Sequence, residues 1–138
     1  MARLNPYISF RDNARQAMEF YQGVFGGTLT MNTFGEYGTP PGSEADKIMH
    51  GLLETDEGFT LMSSDTPSEM EYNPGTNIAI SLSGANDEAD RLRGYWDKLC
   101  AGGTVTMPLD KQMWGDEFGM CTDKFGIGWM VNIAQPES

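Results

Sequence analysis

With 138 residues, 39% of them hydrophobic and 21% charged, the chain has the length for one domain with a buried core and the wrong composition for a disordered segment. Nine Lys and Arg stand against twenty Asp and Glu, a net charge of −11, which argues against nucleic-acid and anionic-membrane partners because both require a cationic footprint. No apolar run reaches membrane-spanning length and the start "MARLNPYISF" lacks the apolar core of a secretory signal, so the expectation is a cytoplasmic protein whose acidic surface serves solubility.

The first predicted strand is "NPYISF" (5–10). Alternation sends Pro6, Ile8 and Phe10 towards a core and Asn5, Tyr7 and Ser9 to the other face. A helix follows in "NARQAMEFYQGVFGG", where Ala14, Ala17, Met18, Tyr21 and Phe25 recur at helical spacing. Asp12 or Asn13 is the expected cap, and Gly26-Gly27 the left-handed exit. Three strands come next: "TLTMNTF" (28–34), "KIMHGLLET" (47–55) and "FTLMSS" (59–64). The polar, Pro- and Gly-rich "GEYGTPPGSEAD" (35–46) is a loop between the first two, and "TDEG" a hairpin turn before the third.

The same grammar then returns. "NIAISL" (77–82) is a strand with Ile78, Ile80 and Leu82 expected in the core and Asn77, Ala79 and Ser81 facing away. A helix with Asn86 as expected cap carries the stripe Ala89, Leu92, Tyr95, Trp96 and Leu99, and exits at Gly102-Gly103. "TVTMPL", "EFGMCT" and "GWMVNIA" supply three more strands. "GGTLTM" (26–31) is echoed by "GGTVTM" (102–107), and "TDEGFTLM" (55–62) by "TDKFGIGWM" (122–130) with one residue inserted. "NPYISF" is echoed by "NIAISL", pairing Asn5 with Asn77 and Ile8 with Ile80, while Leu61 pairs with Trp129 and Met62 with Met130. Three matches in one order mark a duplication.

The expected fold is therefore α+β: two tandem βαβββ modules forming a curved mixed sheet with helices on the outer face. Module one spans about 1–66, a linker about 67–75 and module two about 76–138, within a single domain of 1–138. The helix-free face of the sheet is the place to seek a ligand. Cys100 and Cys121 form no CxxC motif and are too few for a disulfide framework, so both are expected as buried thiols.

"PYISF", "AMEFYQGVFGG", "IMHGLLE" and above all "MWGDEFGMCTDKFGIGWMVN" resemble the vicinal oxygen chelate superfamily of glyoxalase, bleomycin-resistance and extradiol dioxygenase proteins, and within it the PhnB-like branch. That resemblance implies a homodimer in which a second chain often completes each cleft. It also implies a divalent metal held by His, Glu or Gln side chains from the first and fourth strand of each module. Here those positions fall near Asn5, Met62, Asn77 and Met130. Asparagine carbonyls are weak ligands and thioethers suit soft copper(I), so no metal and no other cofactor is expected. PhnB-like sequences are often labelled demethylubiquinone methyltransferases. The glycine pairs of this chain follow helices rather than strands, which is not the glycine turn of an adenosylmethionine-binding α/β fold.

His50 is the only histidine, and alternation places it on one face with Leu52 and Glu54. Its intrinsic pKa suits acid–base work, yet one imidazole makes no metal site, and a structural histidine is the commoner outcome. His50 and Glu54 are weak catalytic candidates. The candidate ligand-binding set is Asn5, Tyr7, His50, Met62, Asn77, Trp114 and Met130: an apolar lining with asparagines to orient the ligand. Asp116 and Glu117 are strand neighbours that point to opposite faces, so they are expected to shape a hairpin. Ser63, Ser64 and Asp65 lack the context of a hydrolase triad. The leading expectation is a metal-free binder of a small apolar or aromatic molecule. An enzyme of the superfamily (lyase, isomerase or dioxygenase) with an atypical metal, and a structural or partner-binding dimer, are the alternatives.

Overall fold

The computed structural model describes residues 2–42 and 44–136; Met1, Ser43, Glu137 and Ser138 lie outside the description. The chain divides into two compact units, Met1–Pro74 and Gly75–Ser138. Unit one runs β1 (Tyr7–Phe10), α1 (Ala14–Phe25), β2 (Thr28–Thr33), β3 (Ile48–Glu54) and β4 (Thr60–Asp65). Unit two runs β5 (Ala79–Ala85), α2 (Ala89–Cys100), β6 (Thr104–Lys111), β7 (Glu117–Thr122) and β8 (Gly128–Ala134). The strand orders are β1-β4-β3-β2 and β5-β8-β7-β6. In both sheets the first strand pairs parallel with the last and the remaining pairs are antiparallel. Two mixed sheets with one topology are the duplication expected from the sequence.

Each helix covers one face of its own sheet. Ala14, Ala17, Met18, Tyr21 and Val24 of α1 are buried, with Leu53, Leu61 and Phe10 from the strands beneath. Phe25, expected in the stripe, is half-buried and meets Phe59 edge-on at 6.0 Å, while Val24 takes the core position. In α2 all five expected residues are buried, against Trp129, Val131 and Ile133 of β8. Burial of this kind contributes about 1.5–3 kcal/mol for each large apolar side chain.

The caps differ from expectation. Asn13 is the N-cap of α1 but makes no side-chain cap hydrogen bond, and the N-cap of α2 is Glu88 rather than Asn86, likewise without one. At α1 the Ala14 N–H donates instead to Oδ1 of Asp65 on β4, at 2.9 Å. Asp12 sits at φ 72, and its Oδ1 lies 2.7 Å from Lys47 Nζ, which also takes Glu44. Those two carboxylates hold Lys47 above its ordinary pKa, Asp12 first. At α2 a short 3₁₀ turn, Asn86–Glu88, leads straight into the helix, so its own backbone bonds occupy the groups a cap would serve.

The glycine echo has a steric cause. Gly26 and Gly102 take left-handed φ values of 73 and 77 as the chain leaves each helix. A Cβ on Gly27 would lie 2.3 Å from the Glu54 carbonyl oxygen, and one on Gly103 2.2 Å from that of Thr122. Only glycine lets the second strand begin this close to the third.

One pairing read from the sequence is two residues out. Tyr7 stands opposite Met62 in unit one, whereas Ser81, not Ala79, stands opposite Met130 in unit two. The structural counterpart of Tyr7 is thus Ser81, and that of Asn5 is Ala79 rather than Asn77. Asn77 and Ile78 precede β5, and Ile78 is 82% exposed instead of buried. An even shift preserves the alternation of faces, so the pattern of apolar residues does not reveal it.

Candidate functional site

In unit one the face opposite α1 presents Tyr7, Met62 and Leu52 as a row across β1, β4 and β3, since Met62 stands opposite both of the others. Tyr7 is half-exposed, and its ring lies 6.0 Å from that of His50 with the planes tilted by 35°. His50 in turn stands opposite Asn32 of β2. Tyr7, His50 and Met62 are therefore brought together on one open face. Glu54 is on the same face of β3 but at its far end, roughly 13 Å along the strand from His50 at the usual rise per residue. The two weak catalytic candidates do not form an acid–base pair. Asn5 lies two residues before β1 and is half-buried; the neighbouring Pro6 carbonyl accepts the Met62 N–H at 3.1 Å.

The three polar residues at the end of β4 are no triad either. Ser63 and Asp65 are buried on the helix side, and Asp65 is spent on two backbone donors, Ala14 and Ile48. Ser64, between them, is on the other face.

In unit two the open face carries two parallel rows. Ser81, Met130, Met120 and Met107 follow one another across β5, β8, β7 and β6, and Ser83, Asn132, Phe118 and Asp110 do so one step further along. Each row crosses four strands, roughly 14 Å at ordinary strand spacing. Trp114, 60% exposed, meets Phe118 edge-on with ring centroids 6.0 Å apart. Asn132 Nδ2 donates to Asp116 Oδ2 at 3.2 Å, and Asp116 Oδ1 accepts the Gln135 N–H at 3.2 Å. Glu117 points the other way, to Arg93 of α2 at 2.5 Å. These neighbours do serve opposite faces as expected. Asn77, exposed and ahead of β5, does not join Met130; Asn132 is the asparagine that does share its face.

Met107, Met120, Phe118, Asn132 and Ser81 were not singled out from the sequence. Asn132 was within reach of alternation, being two residues from Met130. The others depend on register across β6 and β7, where β6 is irregular between Val105 and Asp110.

Among the described residues no three His, Cys, Asp or Glu side chains gather where they would hold a metal ion. The positions next to one another on the first and last strands of the units are Tyr7 with Met62 and Ser81 with Met130. A phenol, a hydroxyl and two thioethers are not the imidazole and carboxylate set that zinc, manganese or iron takes, so the residues do not fit the metal of the resembled fold.

The sequence model of the glyoxalase/bleomycin resistance protein/dioxygenase superfamily matches residues 3–131. The chain belongs to this superfamily. Protein YjdN of Escherichia coli (strain K12) is 27% identical over 97% of both chains. The crystal structure of protein PA1353 from Pseudomonas aeruginosa superposes with a TM-score of 0.84 at 36% identity, covering 99% of this chain and 100% of that one. A PhnB protein from Bacillus cereus, at 19% identity, shares the fold with a TM-score of 0.75 over 96% of this chain and 100% of its own. Tandem βαβββ modules are thus the superfamily's architecture in this chain too.

Proposed function

We propose that this superfamily member binds a small, largely apolar or aromatic molecule on the helix-free face of its sheets, without the divalent metal that the resemblance implies. The observation that carries this reading is the row Met107–Met120–Met130 beside the Trp114–Phe118 pair. A sheet face turned to water is ordinarily polar. This one offers adaptable thioethers and an aromatic edge, with Asn132 held by Asp116 as a fixed polar group. In unit one Tyr7, Met62 and His50 present a smaller surface of the same kind, with Asn5 at its edge. From the resemblance we carry over a homodimer, and from the sequence reading a cytoplasmic location. Neither the Tyr7–Met62 pair of unit one nor the Ser81–Met130 pair of unit two offers an imidazole or a carboxylate, which supports metal-free binding.

Trp114 supplies the test. Trp96 and Trp129 are buried, so Trp114 is the tryptophan exposed to an added ligand. Titration with a panel of planar aromatic compounds is expected to give saturable quenching that Met130→Ala weakens. Native mass spectrometry of protein purified without chelator is expected to show a metal-free dimer. Retained stoichiometric metal, with turnover lost in His50→Ala, would replace this reading by an enzymatic one. An unresponsive Trp114 throughout the panel would leave the face to a structural role.

A further inference from the structure

We propose that the ligand of the open face in unit two is a small organic cation with an aromatic or apolar body. The inference rests on the reading of that face as a ligand site and adds the sign of the ligand's charge. The face carries two carboxylates. Asp110 of β6 is exposed and stands opposite Phe118, and Asp116 is bonded to Asn132 of the same face. Both donors to Asp116, the Asn132 amide and the Gln135 N–H at 3.2 Å each, are neutral.

The cations of unit two, Arg91, Arg93, Lys98, Lys111 and Lys124, lie elsewhere. The first three are on α2, which covers the opposite face, and Arg91 and Arg93 pair with Glu88, Asp90 and Glu117. Lys111 stands opposite Glu117, the residue that turns to α2. An atom added to Gly102 would meet the Lys124 stem at 3.4 Å, which puts Lys124 at the exit of α2. Among the described residues of unit two, the open face is left with acids alone. A neutral ligand laid over it takes water from two carboxylates without returning a counter-charge, and an anion is repelled. A cation is attracted.

The rest of the face fits an organic cation rather than a bare metal ion. Trp114, 60% exposed, and Phe118 meet edge-on with centroids 6.0 Å apart, and ring faces attract diffuse positive charge. The thioethers of Met120 and Met130 add polarizable contact on the same face. Among the described residues no third acidic, histidine or cysteine side chain joins Asp110 and Asp116 to hold a metal. One hairpin sets the parts before any ligand arrives. The Gln112 N–H donates to the Asp116 carbonyl at 2.8 Å, and Gly115, at φ 101, donates its N–H to the Gln112 carbonyl at 2.9 Å. Gln112 Nε2 donates to the Asp110 carbonyl at 3.0 Å. Asp110, Trp114 and Asp116 are therefore held by a single turn, which lowers the ordering cost of binding.

The experiment is equilibrium dialysis of the purified chain against three probes of similar shape: N-methylacridinium, neutral acridine and an acridine carboxylate. It is run at mildly alkaline pH, where the acridine nitrogen carries no proton. The cation is expected to bind about tenfold tighter than acridine and the carboxylate weakest, with the cation's advantage shrinking as salt is added. Asp110→Asn is expected to cut that advantage about threefold. Asp97→Asn removes the same charge from an exposed position of α2 and is expected to keep it. Equal binding of the cation and neutral acridine overturns this inference and leaves the ligand face standing. Binding of none of the three overturns both readings. An advantage cut equally by Asp97→Asn also overturns the inference, because the preference would then belong to the net charge of −11 rather than to this face.

Discussion

Oδ1 of Asp65 accepts the N–H of Ala14 at 2.9 Å, across 51 positions of sequence, while its Oδ2 accepts the N–H of Ile48 at 2.8 Å. One buried carboxylate thereby joins the start of α1, the start of β3 and the end of β4. In unit two a residue of β8, Ile133, occupies the corresponding place and is wholly apolar. The two modules solve the same helix start differently.

Asp65→Ala strands two buried donors at once. The expected loss is about 3 kcal/mol of unfolding free energy, since hydrogen bonds to a charged group contribute about 1.5–3 kcal/mol each and part of that is recovered by relaxation. Asp65→Asn keeps one acceptor and is expected to lose about half as much. Urea unfolding with an unchanged m-value checks both; a loss under about 0.5 kcal/mol for the alanine variant would show that water reaches these donors.

Gly27→Ala and Gly103→Ala each push a methyl group into a backbone carbonyl, at 2.3 and 2.2 Å. Both are expected to destabilise by about 2 kcal/mol or more, because strand pairing must open to make room. Gly23→Ala and Gly94→Ala are the controls. They lie inside the helices with nothing within 4 Å of the added atom, and are expected to stabilise by about 0.5–1 kcal/mol. Thermal unfolding of the four variants should therefore split into two signs.

The pH dependence follows from Cys121. Its ordinary pKa of 9.0 is raised to about 12 in the fold, chiefly by burial. Below pH 9 the thiol is neutral in both folded and unfolded chains, and its contribution to stability is fully present. As pH rises from 9 towards 12 the unfolded chain sheds the proton first, so stability falls through that window. Cys121→Ser is expected to flatten the decline between pH 9 and about 11 relative to the unaltered protein, measured by urea midpoint under reducing conditions.

For the ligand face, Met130→Ala and Met120→Ala are each expected to weaken an aromatic ligand about tenfold, the effect of losing part of a buried apolar contact. Met113→Ala is the matched control: Met113 is 97% exposed and lies in neither row. Fluorescence titration through Trp114 measures all three, and equal weakening by the control would place the ligand elsewhere.

Much of this molecule is legible in one dimension. The stripes of α1 and α2, the glycine exits and the repeated turns are local patterns, and each reports a local constraint: helical spacing, a left-handed φ, a tight hairpin. The strand faces of β4 and β8 follow from alternation, so Met62 and Met130 could be placed on open faces before any register was known. His50 beside Tyr7 was not deducible, because it depends on which strands neighbour one another and how far each slides.

The sequence by itself determined the two βαβββ modules, their helices and the buried faces of β1, β3, β4, β5 and β8, because the apolar period is set by backbone geometry within a few residues. Tertiary structure alone decided that Ser81 rather than Ala79 faces Met130, that Asp65 caps α1, and that His50 stands beside Tyr7. Sliding a strand by two residues leaves its apolar period unchanged, and a contact between residues far apart in the chain leaves no local pattern, so these relationships exist only once the strands have paired.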